Sequence, residues 1–351
     1  MRPVESRGRG IMKERLGFSG DLATTAMGIM PHESVAASLD AVLALDIPFW
    51  PQLPRVSFYE DMYVQAMEHF PGVVIDEENR RIHVDSARFM DDVPAYLEKE
   101  ASLDTFRLSA EFSLVYRRFL ELDLSSYKAV RGQMISPVSL ALKVTDENGK
   151  PIAYNDEMRV LLFSFIQKKV NVQYGELARK NGNAFVWLDD PGLQFVFSAM
   201  CGYDAVKAKA EMTDFFEGID GPRGLHLCGN PDWDFLFSLP LEIISFNAYA
   251  FGDVVATYET VRRFIEQGNI VSWGIVPTLT EEFTGEDIES MDARLSAMWR
   301  TLEEKGLERE AILRGSLIAP ATCNLLNLDR TATVESAFRS LREVSRKMRG
   351  G

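Results

Sequence analysis

The fold follows from the stretch Gly224–Phe251, which reads GLHLCGNPDWDFLFSLPLEIISFNAYAF. It predicts a buried strand, Gly224–Cys228, then a short helix and a second buried strand, Glu242–Phe246. Alternate side chains of a strand share a face, so His226 and Cys228 lie together. An imidazole beside a thiolate suits zinc better than calcium or magnesium. The alternative is a small buried cysteine that follows a histidine by chance.

Six further short apolar runs alternate with helical patterns along the chain. They are Leu22–Met27, Ile47–Trp50, Ala129–Met134, Ala184–Leu188, Asn269–Ile275 and Ser316–Ala319. Near-continuous hydrophobicity is typical of parallel strands whose outer face is covered by helices. With the two strands above they make eight, the number that closes a barrel. We therefore predict an α/β fold, a single-domain (β/α)8 TIM barrel.

Two segments depart from this alternation. Residues 1–17, rich in Arg, Gly and Lys, predict a flexible or docking arm, which leaves 18–351 as the barrel domain. Residues 58–104 follow the second strand and combine helical patterns with VVIDEENRRIHV, in which two alternating runs flank a turn. This predicts an inserted hairpin with helices. Its composition leaves open whether the insertion covers the barrel mouth or forms a docking surface.

Composition excludes several classes of function. The chain has 351 residues, a net charge of −14 and a pI of about 4.9, a balance that disfavours nucleic acid and anionic membrane surfaces. No run of eighteen apolar residues is present. Three cysteines and no secretory leader favour a reducing cytoplasm over a disulfide framework. The oligomeric state, monomer or homodimer, is left open.

Polar and unusual residues are concentrated where the predicted strands end, and the carboxyl ends of barrel strands carry the chemistry. They are Gly28, Trp50, Gln52, Gln133, Asp189, Asp190, His226, Cys228, Asn247, Pro277 and Cys323. The best third ligand beside His226 and Cys228 is Cys323, with Cys201 as its replacement. Structural alternatives are a tryptophan that caps the core at position 50, and aspartates that cap the following helix.

In this order the motifs resemble a superfamily. It joins cobalamin-independent methionine synthase, uroporphyrinogen decarboxylase and zinc-dependent corrinoid methyltransferases. The closest resemblance is to the C-terminal catalytic barrel of methionine synthase, from about Leu22 to the C-terminus. The motifs are TTAMGIMPH, ISPVSLA, VWLDDPGLQF, HLCGN with IISFNAY, and PATCNL. Two positions depart from the family: its fourth ligand, a glutamate, falls on Asn247, and a serine that holds the amino acid backbone is Ile29.

The resemblance implies a zinc-dependent methyltransferase with His226, Cys228 and Cys323 as zinc ligands. The methyl group would come from a methylated corrinoid, a corrinoid protein or methyltetrahydrofolate, and go to a small thiol similar to homocysteine. Asp189 and Asp190 would position the acceptor. Residues expected to contact substrate are Gly28, Met30, Trp50, Gln52, Gln133 and Asn247.

Three alternatives stay open. The first is a metal-free decarboxylase of the same superfamily that acts on a porphyrin-like substrate. The second is a barrel that binds a corrinoid or a thiol without turnover. The third is a protein with a closed structural zinc site.

Overall fold

The computed structural model describes residues 16–198, 201–323 and 326–350. The strands are β1 Ala23–Thr24, β2 Val73–Asp76, β3 Arg81–Val84, β4 Val130–Ile135, β5 Thr145–Asp146, β6 Ala184–Asp189, β7 Arg223–Leu227, β8 Ile243–Phe246, β9 Ile270–Val276 and β10 Ser316–Pro320.

Fourteen α-helices occur among these residues. They are α1 Val35–Leu43, α2 Met62–Met67, α3 Ser86–Lys99, α4 Leu114–Glu121, α5 Pro137–Lys143, α6 Asp156–Ala178, α7 Ala205–Glu217, α8 Trp233–Phe237, α9 Ala248–Val255, α10 Glu259–Glu266, α11 Thr280–Phe283, α12 Ile288–Glu304, α13 Arg309–Arg314 and α14 Ala332–Met348. Short 3-10 helices cover Phe58–Glu60, Leu103–Phe106, Ile152–Tyr154 and Leu193–Phe197.

Seven strands form one curled parallel sheet in the order β1-β10-β9-β8-β7-β6-β4. Almost every residue of these strands is buried, because helices cover the outer face and side chains fill the inner one. Seven of the eight predicted strands are confirmed, and the α/β fold with them. The architecture is compatible with a TIM-like barrel, but the sheet is not closed.

The prediction that Ile47–Trp50 forms a strand and closes the barrel is wrong. This segment makes isolated parallel bridges, Phe49 to Arg131 on one side and Ile29 to Gln52 on the other. Prolines at positions 48 and 51 have no N–H to donate, so a continuous hydrogen-bonded ladder cannot form here. The segment therefore occupies the gap between β1 and β4 without completing the sheet.

The insertion contains the predicted hairpin, since β2 and β3 pair antiparallel. β5 joins β3 to make a second, three-stranded sheet. The insertion is attached to α6 by a buried ion pair, in which Lys169 Nζ lies 3.7 Å from Glu68 Oε2. Helix α2 turns back toward the carboxyl ends of the main strands.

At Gly274, strand β9 passes very close to the backbones of its two neighbours, β8 and β10. A Cβ atom on Gly274 of β9 would lie 2.5 Å from the Phe246 carbonyl oxygen and 2.8 Å from that of Pro320. Only glycine lets β9 pack this tightly between its neighbours. None of the described helices is long and apolar enough to cross a membrane.

Candidate metal centre

Three predicted ligands meet at the carboxyl end of the main sheet. β7 ends with His226 near its tip, Cys228 follows directly, and Cys323 follows β10. His226 Nε2 lies 3.1 Å from Cys228 Sγ, and the Cys323 thiol is a hydrogen-bond partner of the Cys228 sulfur. The curl of the sheet brings β10 toward β7, although two strands lie between them. One nitrogen and two sulfur donors therefore lie next to one another.

The ring of His226 is fixed from two sides. Its Nδ1 is hydrogen bonded to Ser245 Oγ at 2.9 Å, because β7 and β8 pair with these two residues in register. Trp187 of β6 stacks on the ring, with centroids 5.8 Å apart and planes 25° apart. A partner on Nδ1 leaves Nε2 to face the cysteines, which is the arrangement of a metal-binding histidine.

A buried cation lies beneath this layer. Arg131 of β4 is fully buried, and its guanidinium lies 3.8 Å from the Trp187 ring centroid and 4.6 Å from that of Phe49. Its donors reach the Ala26 carbonyl oxygen at 2.5 Å and Gln133 Oε1 at 3.2 Å. Burial lowers the pKa of Arg131 to about 9.

The two cysteines differ in acidity. A hydrogen bond from Cys323 is the main cause that holds the pKa of Cys228 well below its usual value; burial opposes it and the His226 charge adds to it. The same hydrogen bond raises the pKa of Cys323 well above its usual value. Burial disfavours the charged imidazole of His226, yet the neighbouring Cys228 sulfur raises its pKa. Thr322 Oγ1 also donates to Cys228 Sγ at 3.2 Å, so thiolate character is concentrated on Cys228.

A small cavity of about 80 Å³ opens beside these donors. Gly28, a predicted contact residue, lines it together with Asp189 and all three predicted ligands. Its other walls are almost entirely apolar and come from Met27, Ile29, Met62, Tyr63, Ile135 and Pro191.

The two predicted aspartates have different surroundings. Asp189 lines the cavity, and burial raises its pKa to about 6, against the opposing charges of His226 and Arg131. Asp190 is fully buried and accepts hydrogen bonds from Ser136 Oγ at 2.7 Å and Ser139 Oγ at 2.5 Å. Burial raises its pKa to about 6 as well. Asp190 therefore anchors the start of α5, and only Asp189 faces the cavity.

Other predicted contact residues lie below the mouth. Trp50 is fully buried, and its ring centroid lies 4.9 Å from that of Tyr116. Its side chain therefore packs in the core and is not placed to stack on a cofactor. Gln52 donates to Gln65 Oε1 at 2.8 Å, and Gln133 Nε2 donates to the Trp50 carbonyl oxygen at 2.5 Å. These amides belong to a buried network because the proline-rich segment turns inward.

Three further residues complete the predicted set. Asn247 caps α9, since its Oδ1 accepts from the Ala250 N–H at 3.0 Å. Met30 is buried and lines a second, smaller space of about 10 Å³ next to Cys323. Cys201 lies outside both spaces, and its carbonyl oxygen accepts a hydrogen bond from Tyr154. None of the three lines the larger cavity.

As the side chains stand, no group of three or more His, Cys, Asp or Glu in residues 16–198, 201–323 and 326–350 is spaced to hold a metal ion. Donors of a tetrahedral zinc site are about 3.6 Å apart for one nitrogen and one sulfur. His226 Nε2 and Cys228 Sγ are 3.1 Å apart, so they would have to separate by roughly half an ångström. The donor chemistry of the three residues fits zinc, and their side chains would have to move to bring all three to the spacing of zinc ligands.

Several residues of this site belong to no sequence motif and were not predicted. Met62 and Tyr63 reach the cavity from α2 of the insertion, where Asp61 Oδ1 accepts from the Tyr63 N–H at 2.9 Å. Ser245 was also missed, although it could have been found from the sequence, because a polar residue interrupts an apolar strand there. It pairs with His226 on the neighbouring strand.

Comparison with known proteins gives a likeness in structure only. No protein-family model and no curated protein sequence matches the chain. A methyltransferase from Methanosarcina mazei is similar in structure, with a TM-score of 0.53 and 12% identity over 96% of this chain and 95% of that one. At this identity the likeness shows the fold. A B12-independent methionine synthase from Shewanella sp. W3-18-1 in complex with selenomethionine has a TM-score of 0.42 and 13% identity, over 69% of this chain and 65% of that one.

Proposed function

We propose that the chain is a thiol methyltransferase in which His226, Cys228 and Cys323 hold zinc. The observation that carries the proposal is the meeting of these three donors beside an apolar cavity at the carboxyl end of the sheet. Zinc bound there would lower the pKa of an acceptor thiol and keep its sulfur nucleophilic at neutral pH.

The chain's own residues prepare the site for this chemistry. Ser245 sets the orientation of His226, and the hydrogen bonds from Thr322 and Cys323 stabilise a thiolate on Cys228. The apolar walls keep bulk water away from the acceptor sulfur, which strengthens the electrostatic interactions around it. Asp189 faces the same space and would orient a cationic group of the acceptor.

The methyl donor has to reach the acceptor from outside. A cavity of about 80 Å³ is too small for a corrin or a folate. The loop after Cys323 exposes two leucines, Leu326 at 86% and Leu328 at 102% of their surface. These two exposed side chains would offer an apolar contact to a donor that approaches from outside. We therefore place a methylated corrinoid, its carrier protein or methyltetrahydrofolate over the mouth.

One alternative is supported by the sequence. The departures at Ile29 and Asn247 favour a barrel that binds a corrinoid or a thiol without turnover. The size of the cavity disfavours the porphyrin decarboxylase, because a tetrapyrrole needs several hundred Å³.

The test is methyl transfer by zinc-loaded protein, with methylcobalamin or methyltetrahydrofolate as donor and a panel of small thiols as acceptors. Cys323→Ser is expected to lose both zinc and turnover, and the matched control Cys201→Ser to keep both, since Cys201 lies outside the cavity. Tight thiol binding without turnover for either donor would favour the binding barrel. A Cys228→Ser variant that lost zinc and kept methyl transfer would refute the proposal.

A further inference from the structure

The walls of the cavity limit the thiols that fit. No lysine or arginine is among the described residues that line it. The nearest buried cation we find is Arg131, whose donors are held by Ala26 and Gln133 beneath Trp187. A ligand carboxylate or sulfonate would therefore lose its hydration without gaining a cationic side chain as partner, which is costly. Zinc held by two thiolates and one imidazole would carry no net charge, so it would not replace that partner.

The charged side chain that lines the cavity beside the three predicted ligands is Asp189, a carboxyl group. An anionic ligand group placed next to its carboxylate would be repelled over distances of a few ångströms in a medium of low dielectric constant. A neutral chain meets no such repulsion, and an amino group would pair with Asp189.

Size adds a second limit. An apolar cavity of about 150 Å³ binds benzene, which corresponds to roughly 25 Å³ for each non-hydrogen atom. At that ratio, a cavity of about 80 Å³ holds a sulfur and about two carbons. Homocysteine has about eight non-hydrogen atoms, so most of it would lie outside. Ile29 contributes an apolar side chain to the wall, and this side chain offers no hydrogen bond to an amino acid backbone.

We propose that the acceptor is a short alkyl or aminoalkyl thiol without an anionic group. This inference rests on the proposed function, because it assumes that the cavity holds the acceptor. It names a substrate class from the walls of the cavity. The selectivity is a property of Ile29, Asp189 and the apolar side chains around them.

The experiment is isothermal titration calorimetry on the full chain, with zinc content measured in the same samples. The probes are ethanethiol, 2-aminoethanethiol, mercaptoacetate and homocysteine. We expect the first two to bind at least about tenfold more tightly than the last two. Ile29→Lys places a cation at the partly exposed edge of the cavity, so the dissociation constant of mercaptoacetate should fall by about tenfold. The matched control Ile82→Lys, in the hairpin, should leave the order unchanged.

The outcomes separate the two proposals. If the protein takes up zinc and mercaptoacetate or homocysteine binds as tightly as ethanethiol, the inference on substrate class is overturned while the proposed function stands. If it takes up no zinc, the proposed function fails. The same titration of the metal-free chain then still ranks the four probes, because the walls belong to the chain itself. An inverted order there overturns the inference independently.

Discussion

Replacing Ser245 by alanine tests how the site orients its imidazole. The hydroxyl lies 2.9 Å from His226 Nδ1 in a buried position, so Ser245→Ala removes one of the two contacts that fix the ring and leaves Nδ1 without a partner. Loss of such an outer partner lowers metal affinity by about 10- to 100-fold, or about 1.4–2.7 kcal/mol. The metal-free protein should lose about 1–3 kcal/mol of unfolding free energy, because His226 Nδ1 is left buried without a partner.

The chain offers a matched control for this substitution. Ser272 on β9 pairs in register with Ser245, is equally buried, and its hydroxyl has no hydrogen-bond partner among the described residues. Ser272→Ala should leave zinc affinity unchanged and stability equal or slightly higher, because an unsatisfied hydroxyl is removed. Zinc affinity is measured by competition with a chelator, and stability by denaturant unfolding. Equal zinc affinity in both variants and the wild type would refute the role of Ser245.

Three other predictions concern the supporting structure. Burial raises the pKa of Asp190 to about 6, so this carboxyl favours folding most below about pH 4, and that stability is lost as pH rises through 6. Unfolding curves at pH 4 and pH 7 should show wild type losing about 2.5 kcal/mol relative to Asp190→Asn, and equal losses would contradict the burial argument. Lys169→Met should cost about 3–5 kcal/mol of unfolding free energy in the same assay, because the charge of Glu68 is left buried without its cationic partner. Adding Glu68→Gln should restore most of the lost stability. No restoration would mean that the ion pair is not the cause. Asn247→Ala should cost about 1 kcal/mol through loss of a helix cap with zinc content unchanged, whereas zinc loss would make Asn247 a ligand.

The sequence predicted the main sheet because buried parallel strands have a nearly continuous apolar pattern. β6 was placed at 184–188 and found at Ala184–Asp189, and β9 at 269–275 and found at Ile270–Val276. The second strand failed because its apolar residues alternate with prolines, and hydrophobicity alone does not show that the ladder lacks N–H donors. Closure of a barrel was therefore predicted from a strand count that included a segment with only isolated bridges.

The site was predictable where strand ends determine it. His226 and Cys228 share a strand face, and Cys323 follows another strand of the same sheet, so their meeting follows from topology. Met62 and Tyr63 were not predictable, because nothing in the composition of the insertion shows that α2 turns toward the cavity. The inward path of the proline-rich segment was equally hidden.

The same segment explains why two predicted contact residues lie elsewhere. Trp50 and Gln52 were expected at the mouth because they end an apolar run. In the structure the indole N–H of Trp50 faces Gln173 at 3.4 Å, and the amide of Gln52 faces Gln65. These hydrogen bonds direct the Trp50 and Gln52 donors into the protein and away from a ligand, while Gln52 Oε1 is buried without a partner among the described residues.

The central claim is that His226, Cys228 and Cys323 hold zinc, and elemental analysis of the purified protein tests it most directly. We expect about one zinc per chain in the wild type and in the control Cys201→Ser, and much less in Cys228→Ser and Cys323→Ser. The zinc-loaded wild type should also bind a short uncharged thiol. A wild type that retains no zinc after anaerobic purification with added metal, or a Cys323→Ser variant that retains it fully, would contradict the account.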